Sequence, residues 1–345
     1  MNRLVKLRNG AYLSVHDKRQ TDPMVTRRAM IGAGIGALAA GGGVTYAAYA
    51  KAIARARAKI TGMNSLLVPT RFGDLEYAEA GSGRPFLMIH GTGGGFDQGL
   101  HFAGRLAAAG YRVIAPSRFG YLRSAMPANP SSENQADALA DLLDRLGIAR
   151  IAVAGGSAGA LSALQFAIRH PDRCAALFPI VPAAFAPNRP PARPWSPNQA
   201  FIAQTVLTSD FLFWAALVAM PDTMIQTLLA TDVGLVKTAS PAEQARVREI
   251  LWGILPVSDR AEGLLNDAKL AGNPAPMALA AIQAPTLAIS LEDDRFLTAD
   301  AARHIAASVR GARLIVYPTG GHVWVGHDGE LFGAIGTFLR DIDYE

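Results

Sequence analysis

The chain has 345 residues, enough for one large domain with an insertion or for two small ones, and half of it is apolar. This excludes a wholly disordered chain and a collagen-like fibre, and the single cysteine, Cys174, excludes a disulfide framework and every multi-cysteine metal site. The net charge of +5 is unevenly held: residues 1–60 carry eleven Lys and Arg against two Asp, and the remainder carries 22 against 26, which argues against a basic face for nucleic acid on the folded part.

Residues 29–50 hold no charged side chain and are long enough to span a bilayer as a helix. Gly and Ala dominate the run over Leu, Ile and Phe, so its insertion should be weak. Thr26-Arg27-Arg28-Ala29-Met30-Ile31 just before it resembles a twin-arginine export signal, and Ala48-Tyr49-Ala50 reads as a small-x-small cleavage site. Three readings stay open: an export signal, cleaved or retained; an anchor inserted by another route; and a packing helix of a cytosolic protein. Lys51, Arg55, Arg57 and Lys59 make the second flank basic as well, which leaves orientation open, and Met24 is an alternative start. Residues 1–60 are therefore set apart as a leader, with a periplasmic or membrane-anchored location expected.

From about residue 61 short apolar runs alternate with helical patterns. Phe86–Ile89, Tyr111–Pro116, Ile151–Ala154, Cys174–Val181, Pro285–Ser290 and Arg313–Tyr317 suit strands covered on both faces. In the segment Asn134–Leu146, Leu139, Leu142, Leu143 and Leu146 form one stripe, with Asp137, Asp141, Asp144 and Arg145 opposite. Such alternation implies an α/β fold, a mostly parallel sheet between helices, with sites at the carboxyl ends of the strands. The rhythm breaks between about 183 and 279. Pro187, Pro190, Pro191, Pro194 and Pro197 mark a rigid linker, and aromatic-rich helical stretches follow, with Phe201, Phe211, Phe213, Trp214 and Trp252. We expect a helical cap at 183–279 between two core parts, 61–182 and 280–345; further core helices are the alternative.

The chemistry clusters after strands. His90-Gly91-Thr92-Gly93-Gly94-Gly95 ends one strand, and a glycine-rich turn there points backbone N–H groups into a site. The G-x-G-x-x-G spacing fails at Phe96 and no GK[ST] follows, which argues against a phosphate loop. His90 is expected to brace this turn. Gly155-Gly156-Ser157-Ala158-Gly159 stands between a strand and a helical run, the context of a nucleophile elbow whose crowded turn needs small neighbours two residues either side of the serine. The N–H groups of Thr92 and Ala158 are the expected oxyanion donors. Of seven histidines, His322 follows Gly320-Gly321 at a strand's carboxyl end and is the candidate base, with His327 as the fallback. The orienting acid is Asp294 or Asp293, with Asp294 favoured by its place in the turn after Ser290. Gln98 either contacts substrate or caps a helix.

The order Ser157, Asp294, His322, with these turns, resembles the α/β-hydrolase superfamily over roughly residues 65–345. Ser117–Ser124 looks like the family's D-x-x-G-x-G-x-S loop, departing at Ser117 and Leu122, and His170-Pro171-Asp172-Arg173 like its H-P-x-R turn. The HGxG loop and Asp293–Phe296 also resemble meta-cleavage carbon–carbon hydrolases, which usually have Pro where Gly94 stands, a bulky residue at Ala158 and often Trp at Val323. The resemblance implies an ester or lactone hydrolase working through an acyl-enzyme, with no metal or organic cofactor needed, and the apolar cap suggests an apolar or aromatic small-molecule substrate. Carbon–carbon bond hydrolysis and a non-catalytic, membrane-tethered binding role are the alternatives.

Overall fold

The computed structural model describes residues 46–190 and 196–344, together with two short strands, β1 (Arg3–Lys6) and β2 (Tyr12–Val15), that pair antiparallel. The run 29–45, Arg27, Arg28, His16, Met24, Pro191 and Pro194 lie outside the described residues.

The main sheet has eight strands: β3 (Leu66–Thr70), β4 (Gly73–Ala80), β5 (Pro85–Ile89), β6 (Arg112–Pro116), β7 (Ile151–Gly156), β8 (Cys174–Ile180), β9 (Leu287–Leu291) and β10 (Arg313–Tyr317). Their order is β10-β9-β8-β7-β5-β6-β4-β3, parallel throughout except that β4 runs antiparallel to both β6 and β3. The six apolar runs are all strands of this sheet, and their residues divide between its two faces. Phe86 and Met88 of β5 and Ala152 and Ala154 of β7 join one core cluster; Leu87, Ile89, Ile151 and Val153 join the other. The second cluster also takes Leu139, Leu142 and Leu143 of the helix Ser132–Arg145, the stripe that the sequence predicts.

No strand separates β8 from β9 among the described residues. The chain there forms six helices, Pro197–Thr208, Asp210–Ala219, Pro221–Leu228, Val233–Thr238, Pro241–Trp252 and Ala261–Leu270, the inserted cap. Phe213, Trp214, Leu217, Val247, Ile250 and Val257 of this insertion share a core cluster with Val323 and Trp324 of the segment after β10, so the cap is seated over the carboxyl ends of the strands.

The helix Tyr46–Thr61 brings the last part of the segment set apart as a leader onto the folded body. Ile53 is buried, and the Tyr49 ring lies 5.3 Å from that of Phe211 and 5.7 Å from that of Trp214. Arg57 reaches Asp210 at 3.4 Å and Lys59 pairs with Glu249. Tyr49, Ile53, Ala56 and Ile60 recur at helical spacing, so this is an amphipathic packing helix, and Ala48-Tyr49-Ala50 lies in its first turn. Among the described residues no single helix is long and apolar enough to cross a membrane.

Candidate active site

Strand β7 runs straight into the turn that carries Ser157, and the helix Gly159–Arg169 starts two residues later. Ser157 takes a left-handed backbone, φ 52°, which a side-chain-bearing residue adopts only at a cost of about 1–3 kcal/mol. The turn is closed by Ser157 N–H donating to the Ile180 carbonyl at 2.9 Å and by Ala183 N–H donating to the Ser157 carbonyl at 3.1 Å. The flanking glycines are sterically required. A Cβ on Gly155 would sit 2.5 Å from the Gly159 carbonyl oxygen, and one on Gly159 would sit 2.4 Å from the His90 carbonyl oxygen. The elbow is therefore wedged against the end of β5.

His322 reaches Ser157 from the turn after β10. Its Nε2 lies 2.8 Å from Ser157 Oγ, and its Nδ1 lies 2.7 Å from Asp294 Oδ2. Asp294 is 1% exposed, so its charge is set by its partners rather than by water. Burial works to raise its carboxyl pKa, but the charge and hydrogen bond of His322, with Thr298 Oγ1 and the Phe296 N–H at 2.9 Å, hold it below the usual carboxylate value. Ser290 Oγ lies 2.9 Å from Thr298 Oγ1 and extends this chain, and the Phe296 ring meets the His322 imidazole edge-on at 4.9 Å.

Asp293 has a different task. It accepts Gly320 N–H at 3.1 Å and Gly321 N–H at 2.8 Å, fixing the turn that delivers His322. His327, the fallback base, instead pairs with Glu330 at 2.8 Å and stacks on Tyr317. Gln98 Oε1 accepts Gly91 N–H at 3.0 Å, so its side chain braces the glycine-rich turn rather than a helix end.

Several N–H groups of the turn after β5 already have acceptors. Gly91 N–H is held by Gln98, Gly93 N–H donates to Tyr121 Oη at 3.3 Å, and Gly94 N–H donates to the Gly91 carbonyl at 3.2 Å. Among the described residues the N–H groups of Thr92 and Ala158 donate to no protein acceptor. The two loops are in contact, since a Cβ on Gly91 would lie 3.2 Å from Ser157 Cβ. His90 braces this turn as expected: Nδ1 donates to the Gly91 carbonyl at 2.7 Å and Nε2 accepts Arg118 N–H at 2.9 Å. Burial, then the nearby Arg118 charge, push its imidazole pKa well below 6.5, so it stays neutral.

In the loop Ser117–Ser124, Ser117 Oγ accepts Phe96 N–H at 3.1 Å, and Leu122 adopts φ 53°, the left-handed conformation that glycine takes without strain in the related pattern. A groove of about 940 Å³ bounded by Arg84, Arg105 and Arg340 opens at the opposite, amino-terminal end of the strands and forms no part of this site.

A family model described as the alpha/beta hydrolase fold matches residues 84–325. The chain is 27% identical over 265 residues to a 2-hydroxy-6-oxo-6-phenylhexa-2,4-dienoate hydrolase of Comamonas testosteroni, covering 72% of this chain and 84% of that protein. It is 29% identical over 259 residues to a 2-hydroxy-6-oxononadienedioate/2-hydroxy-6-oxononatrienedioate hydrolase of Paraburkholderia xenovorans (strain LB400), with the same coverage, 72% and 84%. Among solved structures, an alpha/beta hydrolase fold protein from Nakamurella multipartita superposes with a TM-score of 0.64 at 26% identity, covering 80% of this chain and 99% of that one. The matched region spans more than half of the chain, and the chain belongs to the alpha/beta hydrolase fold family.

Proposed function

We propose that this hydrolase cleaves carboxylic esters or lactones through an acyl-enzyme on Ser157. The observation that carries the reading is the line from Ser157 Oγ to His322 Nε2 at 2.8 Å and from His322 Nδ1 to buried Asp294 at 2.7 Å. Oγ attacks the substrate carbonyl while His322 takes its proton. Asp294 fixes the imidazole tautomer and stabilises the imidazolium. The N–H groups of Thr92 and Ala158 hold the oxygen that gains negative charge, the place where a preorganised donor counts most. His322 then protonates the leaving alkoxide, and water, deprotonated by the same imidazole, releases the acid and restores Ser157. The apolar cap favours an apolar acyl or alcohol part.

A panel of p-nitrophenyl esters of graded chain length, with lactones, tests this directly. Ser157→Ala and His322→Ala should each fold normally and lose turnover by several orders of magnitude, because the three side chains act as a unit. Near-normal activity in either variant removes the assignment.

The names of the two relatives favour a second reading, hydrolysis of a carbon–carbon bond in a vinylogous diketone. Gly94, Ala158 and Val323 depart from that pattern, which supports the ester reading over it. Turnover of a chromogenic dienol in preference to every ester would reverse the order. We also propose that the run 29–45 directs the chain to the periplasm or holds it at a membrane; replacing Arg27 and Arg28 together by Lys should retain it inside the cell. A binding protein without turnover is the last alternative, and it requires that Ser157 be inert.

A further inference from the structure

The glycine-rich turn that carries Thr92 has few side chains with which to hold itself, and glycine leaves the backbone free. His90 and Gln98 hold its first residue, Gly91, and the restraint further along comes from the cap. Asp267, on the helix Ala261–Leu270, receives Arg118 Nη1 at 2.7 Å, Arg118 Nη2, and the Tyr121 hydroxyl at 2.6 Å. Tyr121 Oη in turn accepts Gly93 N–H at 3.3 Å. Arg260, just ahead of that helix and fully buried, donates to the Gly94 carbonyl and to Asp97 at 2.8 and 3.1 Å. Ile254 lies over Gly93, 3.3 Å from where a Cβ would stand.

Apolar packing alone would seat a cap. Buried ion pairs recover their desolvation cost only when geometry and further hydrogen bonds are good, and exchange for apolar groups is often neutral. These two pairs are aimed at the polar groups of residues 93, 94 and 97, immediately after the Thr92 N–H, which donates to no protein acceptor. We propose that Tyr121, Asp267 and Arg260 are positioning residues that hold the Thr92 N–H in line for the developing oxyanion, so that the site is completed only when the cap is docked. The proposal rests on the reading of Ser157 as nucleophile with Thr92 and Ala158 as donors.

Tyr121→Phe removes one hydroxyl from a fully buried ring and keeps the ring. A trifluoromethyl ketone, which forms a charged tetrahedral adduct on Ser157, probes the donors directly; a non-reacting alcohol of the same shape probes ground-state binding. In the full chain, Tyr121→Phe should weaken ketone binding and lower kcat by about tenfold, a fraction of the 100- to 1000-fold cost of losing a donor outright. KM and alcohol affinity should change less than twofold. Asp267→Asn keeps the shape and should act in the same direction, while Arg260→Lys, which preserves the charge toward Asp97 and Gly94, should retain more ketone affinity than Arg260→Gln. A lower melting temperature with unchanged kcat and ketone affinity in Tyr121→Phe would make the network purely structural and overturn the proposal. If the wild-type chain forms no ketone adduct, the nucleophile reading falls and the proposal falls with it.

Discussion

Replacing Asp294 by Asn exposes how tightly the proton positions are set. Oδ1 of Asp294 accepts the Phe296 backbone N–H at 2.9 Å, and a backbone N–H can only donate. Asparagine must therefore keep its oxygen there and turn its NH2 toward His322 Nδ1 and Thr298. The hydroxyl of Thr298 can rotate to accept, but Nδ1 must then become an acceptor too. The imidazole proton moves to Nε2, where it points at Ser157 Oγ 2.8 Å away and cannot take a proton from it. A wrong tautomer of this kind lowers kcat by roughly 10,000-fold, about 5.5 kcal/mol on the barrier. Steady-state hydrolysis of the best p-nitrophenyl ester reads the rate, and thermal melting verifies that the variant folds. Asp293→Ala is the control. It removes two hydrogen bonds to the Gly320 and Gly321 N–H groups from a half-buried carboxylate, so it should cost about 1–3 kcal/mol of stability and far less rate than Asp294→Asn. Equal rate losses in the two variants, or a fully active Asp294→Asn, would refute the reasoning.

Acid stability should carry the mark of His90. Burial and Arg118 hold its folded pKa well below the ordinary 6.5, so the unfolded chain takes up a proton below about pH 6.5 that the folded chain refuses. Stability should be flat with respect to this group above that pH and fall below it, by up to about 1.4 kcal/mol per pH unit. His101, also lowered by burial, adds the same sign, so His90→Asn should flatten the melting-temperature profile between pH 7 and 5 without abolishing its slope. An unchanged profile would contradict the assignment. A chain starting at residue 62 should be less stable than one starting at residue 46 by about 3 kcal/mol, the worth of Ile53 and the partly covered Tyr49, and should melt at a lower temperature. Equal melting would show that the helix Tyr46–Thr61 contributes nothing to the fold.

Much of the fold was legible because its determinants are local. Five of the six apolar runs are interior strands covered on both faces, whereas β10 is an edge strand with Arg313 and Leu314 exposed. β3 and β4 escaped notice: Leu66–Thr70 contains Pro69, and Gly73–Ala80 alternates Asp74, Glu76 and Glu79 with its apolar residues, as strands at a sheet margin do. The helix Tyr46–Thr61 shares the basic charge of the leader, and that charge masks its stripe of Tyr49, Ile53, Ala56 and Ile60. The elbow was legible because its steric demand falls on residues two positions away. The distinction between Asp293 and Asp294 was only partly so, because both stand in one turn and their partners, Gly320 and His322, arrive from the next strand. Thr298 left a faint trace, four residues after Asp294 at a helix start. The ties from Asp267 and Arg260 to the turn after β5 span well over a hundred residues, and no local pattern in one sequence announces such pairs.

The account stands on Ser157 being activated at neutral pH by the imidazole beside it. Treating the folded protein with a fluorophosphonate and mapping the adduct by mass spectrometry tests this most directly. One adduct per chain, on the peptide containing Ser157 and absent in His322→Ala under the same exposure, is the predicted result. No adduct, or one carried by a different side chain, would contradict the account.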